Sequence, residues 1–161
     1  MSGLFATRAA SADDGELLAR ATLENLNWSG PRFTAEDIAA NAEFFHYYLP
    51  WPGDFDFGVV AEDDDGPVGV VWVKHFTAGD PGYGFVSPDI PELSIWVDAD
   101  HRQRGIGEAL LREIVTEARA RGLAAISLSV EDGNPAVRLY QRQGFIPAGD
   151  GFDPGTLVLS L

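Results

Sequence analysis

The stretch Leu93-Ser94-Ile95-Trp96-Val97-Asp98-Ala99-Asp100-His101-Arg102-Gln103-Arg104-Gly105-Ile106-Gly107-Glu108-Ala109-Leu110-Leu111 decides the fold. Its first five residues form an extended apolar run. From Ile106 onward apolar residues recur at helical spacing, at Ile106, Leu110, Ile114 and Ala118, with Leu111 and Val115 beside them. The segment reads as strand, short turn, helix. No Ser, Thr, Asp or Asn stands immediately before the helix, so its first backbone N–H groups lack a side-chain cap. The positive pole of the helix dipole lies at the same end. Gly105 and Gly107 let a ligand approach the backbone closely, and Arg102 and Arg104 add charge. Together these features describe an anion slot suited to a phosphate or pyrophosphate.

Two common phosphate-binding patterns do not fit. A dinucleotide fingerprint needs a third glycine where Leu110 stands, and a P-loop needs Gly-Lys-Ser or Gly-Lys-Thr, whereas the only lysine is Lys74. What remains is Arg102-x-x-Gly105-x-Gly107 after a strand. The bland alternative is a glycine-containing helix start with two solvated arginines.

The 161 residues, 45% hydrophobic and 22% charged, suffice for a single domain spanning 1–161 with its own core. No run of eighteen apolar residues is present, and Met1-Ser2-Gly3-Leu4-Phe5-Ala6-Thr7-Arg8 has no basic stretch followed by an apolar one. The expectation is a cytoplasmic protein with no membrane partner. Absence of cysteine excludes disulfides, zinc-thiolate sites and a cysteine nucleophile. His46, His75 and His101 have no metal-ligand spacing, so no metal is expected.

A net charge of −14 argues against nucleic acid as a partner. Its distribution is uneven. Residues 102–142 hold seven basic and five acidic residues, net +2, against four basic and twenty acidic elsewhere, net −16. An anionic ligand would be held by the C-terminal half, and a cation would be favoured by the rest. Solubility alone accounts for the acidity equally well.

Before the central stretch, residues 3–9 read as a short strand. Ser11 or Asp13 could cap a helix reaching Asn27, with Leu17, Leu18, Ala21 and Leu26 as its apolar side. A second helix starts at Thr34 and ends before Pro50. Its end is aromatic, with Phe44, Phe45, Tyr47, Tyr48 and then Trp51, either core packing or the wall of a substrate pocket. Residues 57–62 and 68–73 read as strands joined by an acidic turn at Asp63-Asp64-Asp65-Gly66-Pro67, taken as a solvated tip. The Pro- and Gly-rich residues 77–91 form a candidate substrate-contact loop.

After the central helix, Gly122 is a stop and residues 123–130 a buried strand. A short helix follows, with Asn134 as cap, Pro135 at its first position and Gly144 as its end. Final strands lie near Phe145-Ile146 and over residues 156–161. The order βααβββαβαββ implies an α/β domain, a mixed central sheet of about seven strands with helices on both faces. Exposed terminal strands could pair two copies into a homodimer.

Arg102-x-x-Gly105-x-Gly107 resembles the acetyl-CoA signature of the GNAT superfamily of N-acetyltransferases. Pro91-Glu92-Leu93-Ser94-Ile95-Trp96-Val97 is similar to its central strand, and Asn134-Pro135-Ala136-Val137-Arg138-Leu139-Tyr140…Gly144-Phe145 to its second conserved motif. The resemblance is carried by about residues 91–146, with element order alone outside them. It implies acetyl-CoA as co-substrate. Backbone groups of Trp96 and Val97 would pair with the pantetheine arm like an added strand. The N–H groups of Gln103, Arg104, Gly105, Ile106, Gly107 and Glu108 would hold the pyrophosphate, beside Arg102. Asn134 would contact the pantetheine or only cap its helix, while Ala136 and Val137 would line the channel. Arg138 and Arg142 would reach the nucleotide phosphate or stay solvated.

The implied chemistry is attack by an amine on a thioester. No Gly-x-Ser-x-Gly elbow is present, so direct transfer between two bound substrates fits better than an acyl-enzyme. An amine of pKa about 10.4 must lose a proton first, and a carboxylate acting through water can take it. Glu92 is the candidate base, on the strand side of Ser94 and Trp96 and opposite Leu93, Ile95 and Val97. Tyr140 matches the family's usual acid for the departing thiolate and would also touch the cofactor. The Val97 N–H would polarise the thioester carbonyl. The acceptor would be a small-molecule amine, a peptide N-terminus or a lysine. A non-catalytic acyl-CoA sensor of the same fold is the competing reading.

Overall fold

The computed structural model describes residues 4–161. Gly3, the first residue of the expected N-terminal strand, and Met1 and Ser2 of the leader reading lie outside the described residues. Strand β1 is Ala6–Ala9. Helix α1 (Gly15–Leu26) follows a 3-10 turn, Ala12–Asp14. Ser11 rather than Asp13 caps that turn: its side chain accepts the Asp13 N–H and the Asp14 carboxylate returns to the Ser11 N–H. Asp14 is also gripped by both Arg8 nitrogens at 2.9 Å, and this pairing holds its carboxyl below the usual range.

The single second helix expected after Thr34 is instead two, α2 (Ala35–Ala40) and α3 (Ala42–Phe45). Asn41 breaks it by adopting an extended conformation (φ −121°, ψ 117°), and its side chain accepts the Glu43 N–H to start α3 afresh. This is the asparagine habit of bonding its own backbone two residues on.

Strands β2 (Phe57–Asp63), β3 (Gly66–Lys74) and β4 (Glu92–Val97) then form an antiparallel meander. Helix α4 (Ile106–Ala120) crosses to β5 (Ala125–Ser129), helix α5 (Val137–Arg142) follows, and β6 (Ile146–Pro147) and β7 (Thr156–Ser160) close the chain. The sheet order is β1-β2-β3-β4-β5-β7-β6, antiparallel except for β4 with β5. Seven strands, mixed, match the expected α/β class.

Alternation along the strands supplies two core layers. Val71, Val73 and Leu93 face α4, whose Ile106, Leu110, Leu111 and Ile114 are at most 2% exposed. Val60, Val70, Trp72 and Trp96 point the other way, onto Leu18 and Ala21 of α1 and Ile38 of α2. Strand β3 is buried almost end to end because helices cover both its faces. Each such Leu or Ile contributes about 1.5–3 kcal/mol, so this sandwich is a rigid frame for β4.

The acidic β2–β3 turn is not merely a solvated tip. His101 Nε2 lies 3.2 Å from Asp63 Oδ2, and its Nδ1 lies 2.7 Å from Asp98 Oδ2. The histidine ties the turn to the segment entering α4.

Candidate active site

Strands β4 and β5 touch at one register pair, Glu92 with Ser127, and then part. The Ser127 N–H donates to the Pro91 carbonyl at 3.0 Å, and beyond that point β4 has no strand neighbour on this side. The phase of the β3–β4 ladder decides which groups are exposed there. The Asp98 N–H donates to the Val68 carbonyl at 2.8 Å, so Trp96, Ser94 and Glu92 bond to β3, while Leu93, Ile95 and Val97 turn their N–H and C=O to the β5 side, which is open past Leu93. The Trp96 backbone, expected on this edge, is paired to β3, and Ile95 stands on the edge in its place. Trp96 instead buries its indole in the α1-side core, with the Arg20 guanidinium 4.8 Å from its ring. Asn25 of α1 already donates its Nδ2 to the Ile95 carbonyl at 3.0 Å, leaving the N–H groups of Ile95 and Val97 and the Val97 carbonyl on this edge.

At the end of β4 the chain turns through Gln103 (φ +63°) and Gly105 (φ +79°) into α4. Gly105 is the helix cap position and provides no side-chain cap. Among the described residues, no protein acceptor takes the N–H of Gln103, Arg104, Gly105, Ile106, Gly107 or Glu108. A Cβ on Gly105 would meet nothing within 4 Å, so the space above the turn is open. Gly107 also serves packing: a Cβ there would come within 3.1 Å of Leu139 Cδ2, so this glycine lets α5 pack against α4. Ile106 directs its side chain into the core, and Glu108 pairs with Arg112 at 2.7 Å. Their part at this turn is confined to the backbone.

One cavity of about 1030 Å³ joins this turn, the open β4 edge, Glu92 and Tyr140. Arg102, Gln103, Asn134 and Ala136 line it; Arg104 and Val137 do not. Arg104 is exposed, and Val137 leans on the α4-side core. Helix α5 begins at Val137, later than expected. The Asn134 side chain accepts the Ala136 N–H at 3.0 Å, capping the turn ahead of the helix, and Gly144 (φ +100°) follows its last residues. Tyr140 is buried, which pushes its hydroxyl up to about 12 and keeps it protonated at neutral pH.

Glu92 is 4% exposed and has no cationic partner among the described residues. Burial pushes its carboxyl up to about 7, against the opposing pull of two hydrogen bonds. The Tyr47 hydroxyl donates to Oε2 at 2.6 Å and the Gly84 N–H donates to Oε1 at 2.9 Å. Tyr47 in turn accepts the Tyr83 N–H at 2.7 Å, and the Gly84 carbonyl accepts the Ser127 hydroxyl at 2.7 Å. Lys74, the register partner of Glu92 on β3, is held elsewhere, by Asp56 at 3.1 Å and the Pro50 carbonyl. A buried carboxyl poised near neutrality beside a cavity can accept a proton from a bound ligand.

Sequence reasoning did not single out Ile95, Asn25, Gly84 or Ser127, and it left Tyr47 between core and pocket. Tyr47 sits in the aromatic run flagged there, and Gly84 in the flagged loop. Nothing local marks Asn25, which reaches Ile95 across seventy residues.

Residues 20–145 match the family model described as "Acetyltransferase (GNAT) family". The chain is 39% identical over 59 residues to the L-methionine sulfoximine/L-methionine sulfone acetyltransferase of Pseudomonas paraeruginosa, covering 36% of this chain and 34% of that protein. It is 40% identical over 54 residues to the [ribosomal protein bS18]-alanine N-acetyltransferase of Escherichia coli, covering 33% and 36% respectively. These matches span only about a third of the relatives' length. A solved GCN5-related N-acetyltransferase from Ralstonia eutropha superposes with a TM-score of 0.71 at 26% identity, covering 94% of this chain and 98% of that one.

Proposed function

The chain belongs to the acetyltransferase (GNAT) family, and from that premise we propose that it moves an acetyl group from acetyl-CoA directly to a primary amine, both bound at once. One observation carries the reading. An unpaired strand edge, an uncapped helix start and a buried carboxyl near neutrality open into one cavity. Six free N–H groups suit a diphosphate, and the Ile95 and Val97 edge suits the amide arm of pantetheine. Bound acetyl-CoA supplies the activated acyl carbon.

The residues divide the work as follows. Glu92, through a water, takes one proton from the ammonium and frees the nitrogen lone pair. The Val97 N–H stabilises charge building on the carbonyl oxygen. As the C–N bond forms and the C–S bond breaks, Tyr140 gives its proton to the departing thiolate, and the second proton of the attacking nitrogen restores it. Arg102, with Gln103 and the backbone up to Glu108, holds the phosphates. Asn134 and Ala136 border the channel.

The test is thiol release from acetyl-CoA across a panel of primary amines. Amine-dependent release is the expected result. Thermal stabilisation by coenzyme A with no release from any amine would leave a non-catalytic acyl-CoA sensor instead.

A further inference from the structure

Resting on the transferase reading, we propose that the acceptor is a primary monoamine carried on an aromatic or bulky apolar body, which lies along a wall of rings leading to Glu92. The rings run in sequence. Phe33 and Phe44 have centroids 4.9 Å apart, Phe44 and Tyr83 6.5 Å, and Tyr83 stacks on Tyr47 at 6.2 Å and 19°. All four line the cavity, and Tyr47 ends the series with its hydroxyl on the Glu92 carboxylate. Tyr83 is 46% exposed although it carries a large apolar ring. A ring left in the open beside a cavity offers area to a ligand, and its face attracts an ammonium.

The charged groups at this end exclude the main competitors. An amino acid acceptor needs a free cation for its carboxylate. The one cation lining the α1–α2 side is Arg32, whose guanidinium is committed to Glu131 at 2.6 and 3.2 Å and to the Leu26 carbonyl. Arg102, Arg138 and Arg142 sit at the α4–α5 end, where the phosphates are held. A diamine needs a second free carboxylate. Glu24 is paired with Arg20, Glu131 with Arg32, and Glu43 accepts the Tyr83 hydroxyl. Of the carboxylates lining the cavity, Glu92 alone is without a cationic partner among the described residues, so the cavity wall serves one ammonium and no second charge. Displacing the Arg32–Glu131 pair for a ligand carboxylate would leave Glu131 unpaired beside it.

The experiment measures kcat/KM by thiol release from acetyl-CoA with the full chain and four matched amines: 2-phenylethylamine, ethylamine, phenylalanine and 1,4-diaminobutane. The expected result is an excess of at least about tenfold for 2-phenylethylamine over each of the others. Phenylalanine, ethylamine or the diamine matching it overturns this inference and leaves the transferase reading standing. No release from any of the four, with release from another amine of the wider panel, overturns this inference and leaves the transferase reading; no release across the whole panel overturns both. A second arm compares Tyr83→Ala with Tyr83→Phe. The alanine variant should cut the 2-phenylethylamine to ethylamine ratio about tenfold, while phenylalanine, which keeps the ring and loses only the bond to Glu43, should preserve it. An unchanged ratio in Tyr83→Ala, or the same loss in both variants, overturns the ring wall.

Discussion

The Tyr47 hydroxyl donates to Glu92 Oε2 at 2.6 Å while it accepts the Tyr83 N–H at 2.7 Å, away from solvent. One side chain from the aromatic end of the α3 segment therefore sets both the orientation of the candidate base and the position of the loop above it. The bond favours the ionised carboxylate and opposes burial, which alone would lift the carboxyl further.

Replacing Tyr47 with phenylalanine removes that support. The acid limb of the pH profile of kcat/KM, governed by Glu92 at about 7 in the wild type, should move to higher pH by about one unit, with much of the rate recovered at alkaline pH. Steady-state rates between pH 6 and 9.5 check this. A uniform loss of rate with an unmoved midpoint would reduce Tyr47 to packing.

Stability should carry the same signature. Glu92 has an ordinary value of 4.5 unfolded and about 7 folded, so the folded state binds the extra proton between those pH values. Its contribution to stability is present below pH 4.5 and is lost as pH rises through 7, by about 3 kcal/mol for a fully buried group. Glu92→Gln lacks this slope. Its melting temperature should fall less than the wild type's between pH 5 and pH 8 in parallel thermal melts, while its turnover is lost.

Tyr140 holds its proton at neutral pH because it is buried. Tyr140→Phe should lower kcat by about a hundredfold or more, with coenzyme A affinity by calorimetry close to wild type. An unaltered kcat would take the acid role from this residue.

At the helix start, Gly105→Ala forces a Cβ into a left-handed conformation (φ +79°), at a cost of about 1 kcal/mol. The methyl group also enters the open space above the free N–H groups. Coenzyme A should bind more weakly than to the wild type by calorimetry, and the protein should melt a few degrees lower. Undiminished affinity would mean that this turn does not hold the diphosphate.

Much of this was legible because it is local. The helical spacing of Ile106, Leu110, Ile114 and Ala118, the alternation about Leu93, Ile95 and Val97, and the missing cap before α4 are properties of short segments, and all appear in the structure. The break at Asn41 was missed because the surrounding residues favour a helix, and only the asparagine side chain's bond to its own backbone argues otherwise. The family resemblance puts the Trp96 backbone on the open edge, and strand alternation, which tells which side chains share a face, offers no check on it. Alternation does not tell which backbone groups face which neighbour.

The sequence by itself determined the α/β class and the strand–turn–helix with its uncapped start. Those follow from periodicity and capping chemistry, which act over a few residues; the choice of Tyr140 as acid comes from the family resemblance, and that of Glu92 from side-chain type and strand alternation. The tertiary structure alone decided that β4 and β5 part after Glu92, that Ile95 rather than Trp96 faces the opening, and that Tyr47 and Gly84 converge on Glu92. Each depends on the register between strands or on contacts tens of residues apart. A carboxyl at about 7 arises only when those contacts remove it from water.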